Sequence, residues 1–273
     1  MKYIFFGSPR FAEIILEKLI DASMPPAAVI CNPDRPFGRK KVLTPPPVKV
    51  LAQSHGIPVL QPEKLDEGFK LQVSGFKPDF AVVAAYAKIL PQSIIGLPRL
   101  GTIGVHPSLL PRYRGASPIQ SVILSGEAET GVTLFMLDEK VDHGALLATR
   151  ALPIAARETY ETLLQKLGGL SGELLADTLP RFVTGNIAPR AQNEDAATYT
   201  KKFSTENGFV DFAKDDPAVI DRKIRALTPD PGVYTLVEKK GKRVRLKLLE
   251  AEIRDGCLVP TLIQYEGGKQ IRP

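Results

Sequence analysis

Uninterrupted apolar stretches alternate with amphipathic ones through the first half of this chain, and that alternation limits its fold more than any other feature. Residues 2–6 form an apolar strand that ends in Gly7-Ser8-Pro9. Phe11, Ile14, Ile15, Leu19 and Ile20 then recur at helical spacing. Residues 27–31, 58–60, 80–85 and 101–106 read as further strands, with a helix over 48–53. Strands that are apolar on both faces and separated by helices predict a mostly parallel sheet covered on both sides, a Rossmann-like α/β fold. Residues 133–137 and 145–152 add two strands. A long helix follows over about 159–183, with Tyr160, Leu163, Leu164, Leu167, Leu170, Leu174 and Leu175 on its inner face.

Beyond Phe203 the texture changes. A short helix over 217–227 carries Val219, Ile220 and Ile224, and strand-like runs follow at 233–238, 243–253 and 257–264. Lys-Gly-Lys and Asp-Gly turns separate them. Short antiparallel strands of this kind predict a small β-barrel, OB-like, at the C-terminus. The polar stretch between the two textures reads as a linker. The expected division is therefore 1–186, a linker over 187–203, and 204–273, in keeping with two domains for 273 residues.

No apolar run is long enough to span a bilayer, and the opening residues are too short for a signal-peptide core, so no membrane role and a cytoplasmic location are expected. Cys31 and Cys257 stand far apart in no paired motif, which predicts neither a disulfide nor a metal site. Their apolar contexts predict burial for both. Gly7-Ser8-Pro9 lacks the glycines of a dinucleotide fingerprint, and no glycine-lysine phosphate loop is present.

The formal net charge is +6, and residues 201–273 hold 15 Lys and Arg against 11 Asp and Glu. Two basic elements stand out. The first runs from Asn32 through Arg35, Phe37, Gly38, Arg39, Lys40 and Lys41, and reads as a projecting loop. The second is a hairpin with Lys239, Lys240, Lys242, Arg243, Arg245 and Lys247. Period two places Arg243, Arg245 and Lys247 on one strand face and Val244, Leu246 and Leu248 on the other. A solvated loop and a lysine-guarded edge strand would look similar. A pair of such elements, one with an aromatic ring in it, fits a nucleic-acid partner.

Val105-His106-Pro107-Ser108-Leu109-Leu110-Pro111 follows a strand, so His106 stands at a strand's C-terminal end, where open α/β sheets bind ligands. A second polar loop carries Asp138, Val141, Asp142, His143 and Gly144. An imidazole and a carboxylate on neighbouring loops make a proton-transfer pair. Alone, Asp142 would fit a turn aspartate beside Gly144 equally well. His143 reads as a loop neighbour, not a second catalyst.

Taken together, Phe6-Gly7-Ser8-Pro9, the segment Pro33–Lys41, Ala84-Ala85-Tyr86, Ile89-Leu90-Pro91, the run from His106 to Gly115, Asp142 with Gly144, and Ile224-Arg225-Ala226 with Pro229 and Pro231-Gly232 resemble the methionyl-tRNA formyltransferase family. The resemblance covers nearly the whole chain. It implies a formyltransferase catalytic domain over 1–186 and a tRNA-binding domain over 204–273. It further implies formyl transfer from 10-formyltetrahydrofolate to the amine of methionine on initiator tRNA, without a metal and by a monomer. His106 and Asp142 occupy two catalytic places of that family. Gly104 stands where the family has asparagine, a hydrogen-bond donor whose loss from an oxyanion site costs about 10²–10³ in rate. The glycine is expected to leave space that water could use. Folate contacts are implied along Tyr86, Ala87, Ile89, Leu90 and Pro91, at Ser108, Leu109, Leu110 and Pro111, and at Asp138, Val141 and Asp142. Ala87 stands where glycine is usual. Arg35, Arg39, Lys40 and Lys41, with Lys239, Lys240, Lys242, Arg243 and Arg245, match tRNA contacts. Two other readings share these residues: a formyltransferase acting on another amine such as an amino sugar nucleotide, and a tRNA- or folate-binding protein whose catalysis Gly104 impairs.

Overall fold

The computed structural model describes every residue except Arg39 and Lys240, and Phe37 by its backbone alone. The chain divides into two compact units. The first comprises Met1–Arg114, Gly131–Leu152 and Leu164–Thr198, the second Gly115–Thr130, Pro153–Leu163 and Tyr199–Pro273.

The first unit is built on strands β1 (Tyr3–Gly7), β2 (Ala28–Ile30), β5 (Val59–Leu60), β6 (Phe80–Ala84), β7 (Thr102–His106), β9 (Glu129–Met136) and β10 (Leu146–Pro153). They form one sheet in the order β10-β9-β7-β6-β1-β2-β5. The pairs β1–β2, β1–β6, β2–β5 and β6–β7 are parallel, whereas β9 runs antiparallel to β7. All five residues of β1 are buried, which requires cover on both faces. Helix α1 (Arg10–Asp21) supplies part of that cover with Phe11, Ala12, Ile14, Ile15, Leu16 and Leu19. Gly7 lets the chain turn closely from β1 into α1. A Cβ there would lie 2.6 Å from the Ala12 Cβ and 2.9 Å from the Ala84 carbonyl oxygen. Helix α6 (Tyr160–Val183) buries Leu167, Leu174, Leu175 and Leu179. Shorter helices α2 (Pro47–Ser54), α3 (Glu67–Gly75) and α4 (Gln92–Ile95) complete the connections.

The basic stretch expected to be a loop departs from that expectation. Arg35–Phe37 (β3) and Val42–Thr44 (β4) pair antiparallel, with Arg35 opposite Thr44 and Pro36 opposite Leu43. Strand pairing thus holds the flanks of the segment, and of its tip the described residues Gly38, Lys40 and Lys41 lie in a turn. At the base, Asp34 accepts from Lys49 Nζ and Gln61 Nε2, each at 2.8 Å.

In the second unit, helix α5 (Pro118–Leu124) packs on α7 (Pro217–Leu227), and Arg222 Nε donates to the Leu124 carbonyl at 3.1 Å. Asp216 caps α7 by accepting from Ala218 N and Val219 N, ahead of Pro217 at the first helical position. Beside it, β12 (Val233–Lys239), β13 (Lys242–Arg254), β14 (Cys257–Tyr265) and β15 (Gln270–Ile271) form a four-stranded antiparallel sheet in sequence order. Two-residue strands β8 (Arg114–Gly115) and β11 (Tyr199–Thr200) complete the count. Buried Asp221 holds Arg157 and Arg225, each at 2.8 Å. Cys31 is buried as expected, but Cys257 is exposed. It opens β14 directly after a two-residue turn and pairs with exposed Arg254, where the sheet faces solvent. Among the described residues no helix is long and apolar enough to cross a membrane.

Candidate active site

Sheet order explains why His106 is held firmly. Its strand, β7, lies between β6 and β9, and His106 is the last residue of β7, opposite Thr133. Thr133 also anchors the loop that follows. Its hydroxyl donates to the Ser108 carbonyl at 2.7 Å and accepts from Leu110 N at 3.1 Å. Ser108, fully buried, donates to the Arg112 carbonyl at 2.6 Å. That loop then returns over the imidazole, so that the Tyr113 carbonyl lies 2.8 Å from His106 Nε2. A carbonyl oxygen only accepts, which fixes Nε2 as the protonated nitrogen. Nδ1 is left for chemistry.

Asp142 faces that nitrogen, with Oδ2 3.5 Å from Nδ1. The imidazole is almost buried, and the carboxylate is about one-fifth exposed. With Nε2 already donating, a neutral ring would set a lone pair against the carboxylate. The 3.5 Å separation leaves room for a reacting atom between Nδ1 and Oδ2. Asp142 and Tyr113 both sit in the left-handed backbone region, at φ +50° and +61°. Non-glycine residues there are sparsely populated and cost of order 1–3 kcal/mol, which marks two points where the surrounding structure fixes the chain. Part of that fixing is visible around Asp142. Gln192 Nε2 donates to the Asp142 carbonyl at 2.9 Å and to the Gly144 carbonyl at 2.8 Å.

Gly104 lies two residues before His106 in β7 and offers no open space. A Cβ built there would stand 2.5 Å from Leu137 Cδ1 and from Phe135 Cε1 and Cζ. The room expected for water is filled by these side chains because Phe135 is the cross-strand partner of Gly104.

Of the residues implied in folate contact, Ser108, Leu110 and Leu90 are buried, whereas Ala87, Ile89 and Val141 are exposed. Leu109, Pro111 and Pro91 are half-buried. Tyr86 packs its ring edge-on against Phe6 at 5.4 Å, and its buried hydroxyl has no hydrogen-bond partner among the described residues. Burial pushes this phenol up to about 12, with the Cys31 thiol nearby adding to the shift. A cavity of about 340 Å³ is lined by Gln92, Leu137, Asp138, Glu139, Lys140 and His143. It is an open depression between the start of α4 and the loop carrying Asp142.

The basic residues are exposed in each unit taken separately. Arg35, Lys40 and Lys41 belong to the β3–β4 hairpin of the first. In the second, Lys239, Lys242, Arg243 and Arg245 lie on β12 and β13, where Leu248 is buried and Val244 and Leu246 half-buried, as period two predicts. Arg245 stacks on the Tyr234 ring at 4.6 Å, and Lys239 on that of Tyr265 at 3.5 Å. Arg39 and Lys240 lie outside the described residues.

Sequence reasoning did not reach the supports of the site. Arg114, fully buried, grips Glu194 with two charge-assisted bonds of 2.9 and 2.6 Å and Gln192 Oε1 with two more of 3.2 and 2.7 Å. The guanidinium holds the Glu194 carboxyl below its usual range. His143 is bonded to Asp138 at 2.6 Å. The polar stretch that reads as a linker thus supplies two partners to Arg114. Its lack of apolar period concealed them.

Residues 1–179 match the model of the formyl transferase family, and residues 202–271 match that of its C-terminal domain. A methionyl-tRNA formyltransferase of Citrifermentans bemidjiense is 41% identical over 262 residues, covering 95% of this chain and 80% of that protein. Among solved structures, HypX from Aquifex aeolicus in complex with tetrahydrofolic acid superposes with a TM-score of 0.70 at 19% identity. The match covers this whole chain and 46% of the other, so the chain spans about half of that protein's length. A methionyl-tRNA formyltransferase from Clostridium thermocellum gives a TM-score of 0.63 at 18% identity, with both chains covered completely. At such identities the last two establish the fold alone.

Proposed function

The chain belongs to the methionyl-tRNA formyltransferase family, within the formyl transferases, and from that membership we propose that it transfers a formyl group from 10-formyltetrahydrofolate to the amino group of methionine on initiator methionyl-tRNA. The observation that carries the proposal is the His106–Asp142 pair, with Nε2 pinned and Nδ1 turned to the carboxylate. Bound folate supplies the formyl carbon, and the 340 Å³ cavity beside the Asp142 loop has the volume to admit part of such a molecule. The methionine amine attacks that carbon. In its protonated form His106 offers the Nδ1 proton to the oxygen that becomes negative, and Asp142 takes up the proton shed by the amine. On collapse of the intermediate the oxygen returns its proton to His106, the bond from the formyl carbon to folate N10 breaks, and the proton on Asp142 passes to N10 of the departing tetrahydrofolate. Orientation and charge stabilisation are the protein's contribution. The β3–β4 hairpin and the β12–β13 face present the cations that would meet the tRNA backbone. We place the reaction in the cytoplasm and assign it to a monomer.

Purified chain should formylate methionyl-tRNA in the presence of 10-formyltetrahydrofolate, and an amino sugar nucleotide should be a poor acceptor. His106→Ala and Asp142→Asn should each lower kcat by at least about 10². Retention of full rate by either variant would remove the pair from the mechanism. A second reading, a tRNA- or folate-binding protein with little catalysis, is favoured by one observation: apolar groups fill the volume at Gly104. Tight tRNA binding without measurable transfer would select it.

A further inference from the structure

His143 is the one histidine beside the site to which the proposed reaction gives no task. Its ring lies between two carboxylates. Nδ1 donates to Asp138 Oδ2 at 2.6 Å, and Nε2 stands 3.6 Å from Glu194 Oε1. The other oxygen of Asp138 accepts from Lys140 N at 3.0 Å, so Asp138 closes the loop upon itself at two points. Glu194 is clamped by buried Arg114, which also holds Gln192, and Gln192 takes the carbonyls on either side of His143. The C-terminal end of the loop is thus tied to this charged scaffold through the Asp142 and Gly144 carbonyls, and its start, Asp138, is tied to that end through His143. Asp142, at φ +50°, lies within the closed segment. The groups that face the His143 ring or flank it are Asp138, Glu139 and Lys140 of its own loop and Glu194 across from it, with Arg114 behind Glu194.

We propose that His143 is a positioning residue: it latches the Asp138–Gly144 loop to Glu194 and so holds the Asp142 carboxylate against His106 Nδ1. The inference rests on the proposed reaction for its effect on rate, but the latch itself is a property of the free protein. Asp142 sits in the left-handed region, which aspartate enters more readily than most residues but still at a cost, so restraint of the loop helps to fix where its carboxylate points. Gln192 restrains the main chain, and His143 restrains the loop's side-chain end. A misplacement of about 1 Å at a reacting carboxylate costs roughly 10²-fold in rate, which makes such a latch consequential without any contact to substrate.

The chain has only three histidines, so ¹⁵N spectra of the imidazole rings can be assigned by single substitutions. At one pH, His143→Ala should shift the His106 Nδ1 signal while the Nε2 signal, bonded to the Tyr113 carbonyl, stays in place. His143→Gln keeps a donor towards Asp138 and should restore most of the original signal. In the transfer assay His143→Ala should lower kcat about 10–100-fold with little change in methionyl-tRNA affinity. Asp138→Ala and the double variant should show the same loss, since all three open one latch. Losses that multiply would overturn the proposal, as would a His106 Nδ1 signal unmoved in a variant that melts cooperatively. If the native chain transfers no formyl group, the His106 spectrum still decides the latch, and the reaction assigned above fails separately.

Discussion

Phe135 and Leu137 occupy the volume that a side chain on residue 104 would take, and this alters what restoring an asparagine there can achieve. Phe135 is 3% exposed, so its ring cannot swing into solvent without leaving a void. Overpacking of this kind costs about 1–3 kcal/mol. Gly104→Asn alone should therefore destabilise the protein by about that amount in urea denaturation. Paired with Phe135→Leu, which frees space on the facing strand, the cost should fall below the sum of the two single changes. Strict additivity would mean that the ring yields freely and that Gly104 is not coupled to its neighbour. Only the paired variant offers a fair test of whether a donor at this point raises the rate. His106 teaches a related lesson. Its tautomer is set by a main-chain oxygen, that of Tyr113, whose side chain has no part in the bond.

Hairpin β3–β4 and sheet β12–β15 carry the cations through which tRNA would be gripped. Replacing Lys40 and Lys41 together by alanine should reduce the slope of log K against log salt for tRNA binding by up to about 2, one for each phosphate left without its lysine. Folate affinity should remain unchanged. An equal loss of both would show that the hairpin supports the fold around the cavity and not the nucleic acid. The hairpin was also the element least legible in the sequence. Pro36, Gly38 and a dense run of cations are loop signals, and Arg35, Pro36, Gly38 and residues 40–44 are exposed, so no buried face among them wrote a period into it. By contrast, β1, β6 and β7 are buried almost throughout and could be read directly from apolar continuity. The turn between β13 and β14 was legible for another reason. Asp255 and Gly256 adopt φ +49° and +78°, and Asp-Gly is a pair that tolerates this. Helix α3 went unread because only Phe69 and Val73 are buried on it, too few to establish a period. For the candidate site itself, His106 was legible as a side chain at a strand's end and Asp142 as one on the neighbouring polar loop. The Arg114–Gln192–Glu194 support was not, since polar residues in a polar segment look solvated until the fold brings an arginine to them.

Stability of the protein as a whole should be bounded on both sides of neutrality by identifiable groups. On the acid side, Asp34 is held below its usual range by Lys49 and Gln61, Asp79 by the Lys2 amide and Arg99, Glu194 by Arg114, and Asp211 by the Ala213 amide and Lys214. A carboxyl that is more acidic in the folded state contributes stability above its unfolded value of about 4, and loses that contribution as pH falls through the lower folded value. On the alkaline side the sign reverses. Burial pushes the Cys31 thiol up to about 11 and the Tyr86 phenol up to about 12, and Tyr3 shifts in the same direction. The unfolded chain releases these protons first, at about 8.5 for a thiol and about 10 for a phenol, so stability declines as pH rises through that interval. The melting temperature should accordingly be nearly flat between about pH 5.5 and 8.5 and fall beyond either limit. Glu194→Gln should make the acid limb shallower, because the variant no longer has a proton to bind there. Cys31→Ala should flatten the curve between about pH 9 and 11, whatever the variant costs at neutrality through the small void it leaves. An alkaline limb just as steep without the thiol would place the loss of stability in the buried phenols, Tyr3 and Tyr86, and not in the end of β2.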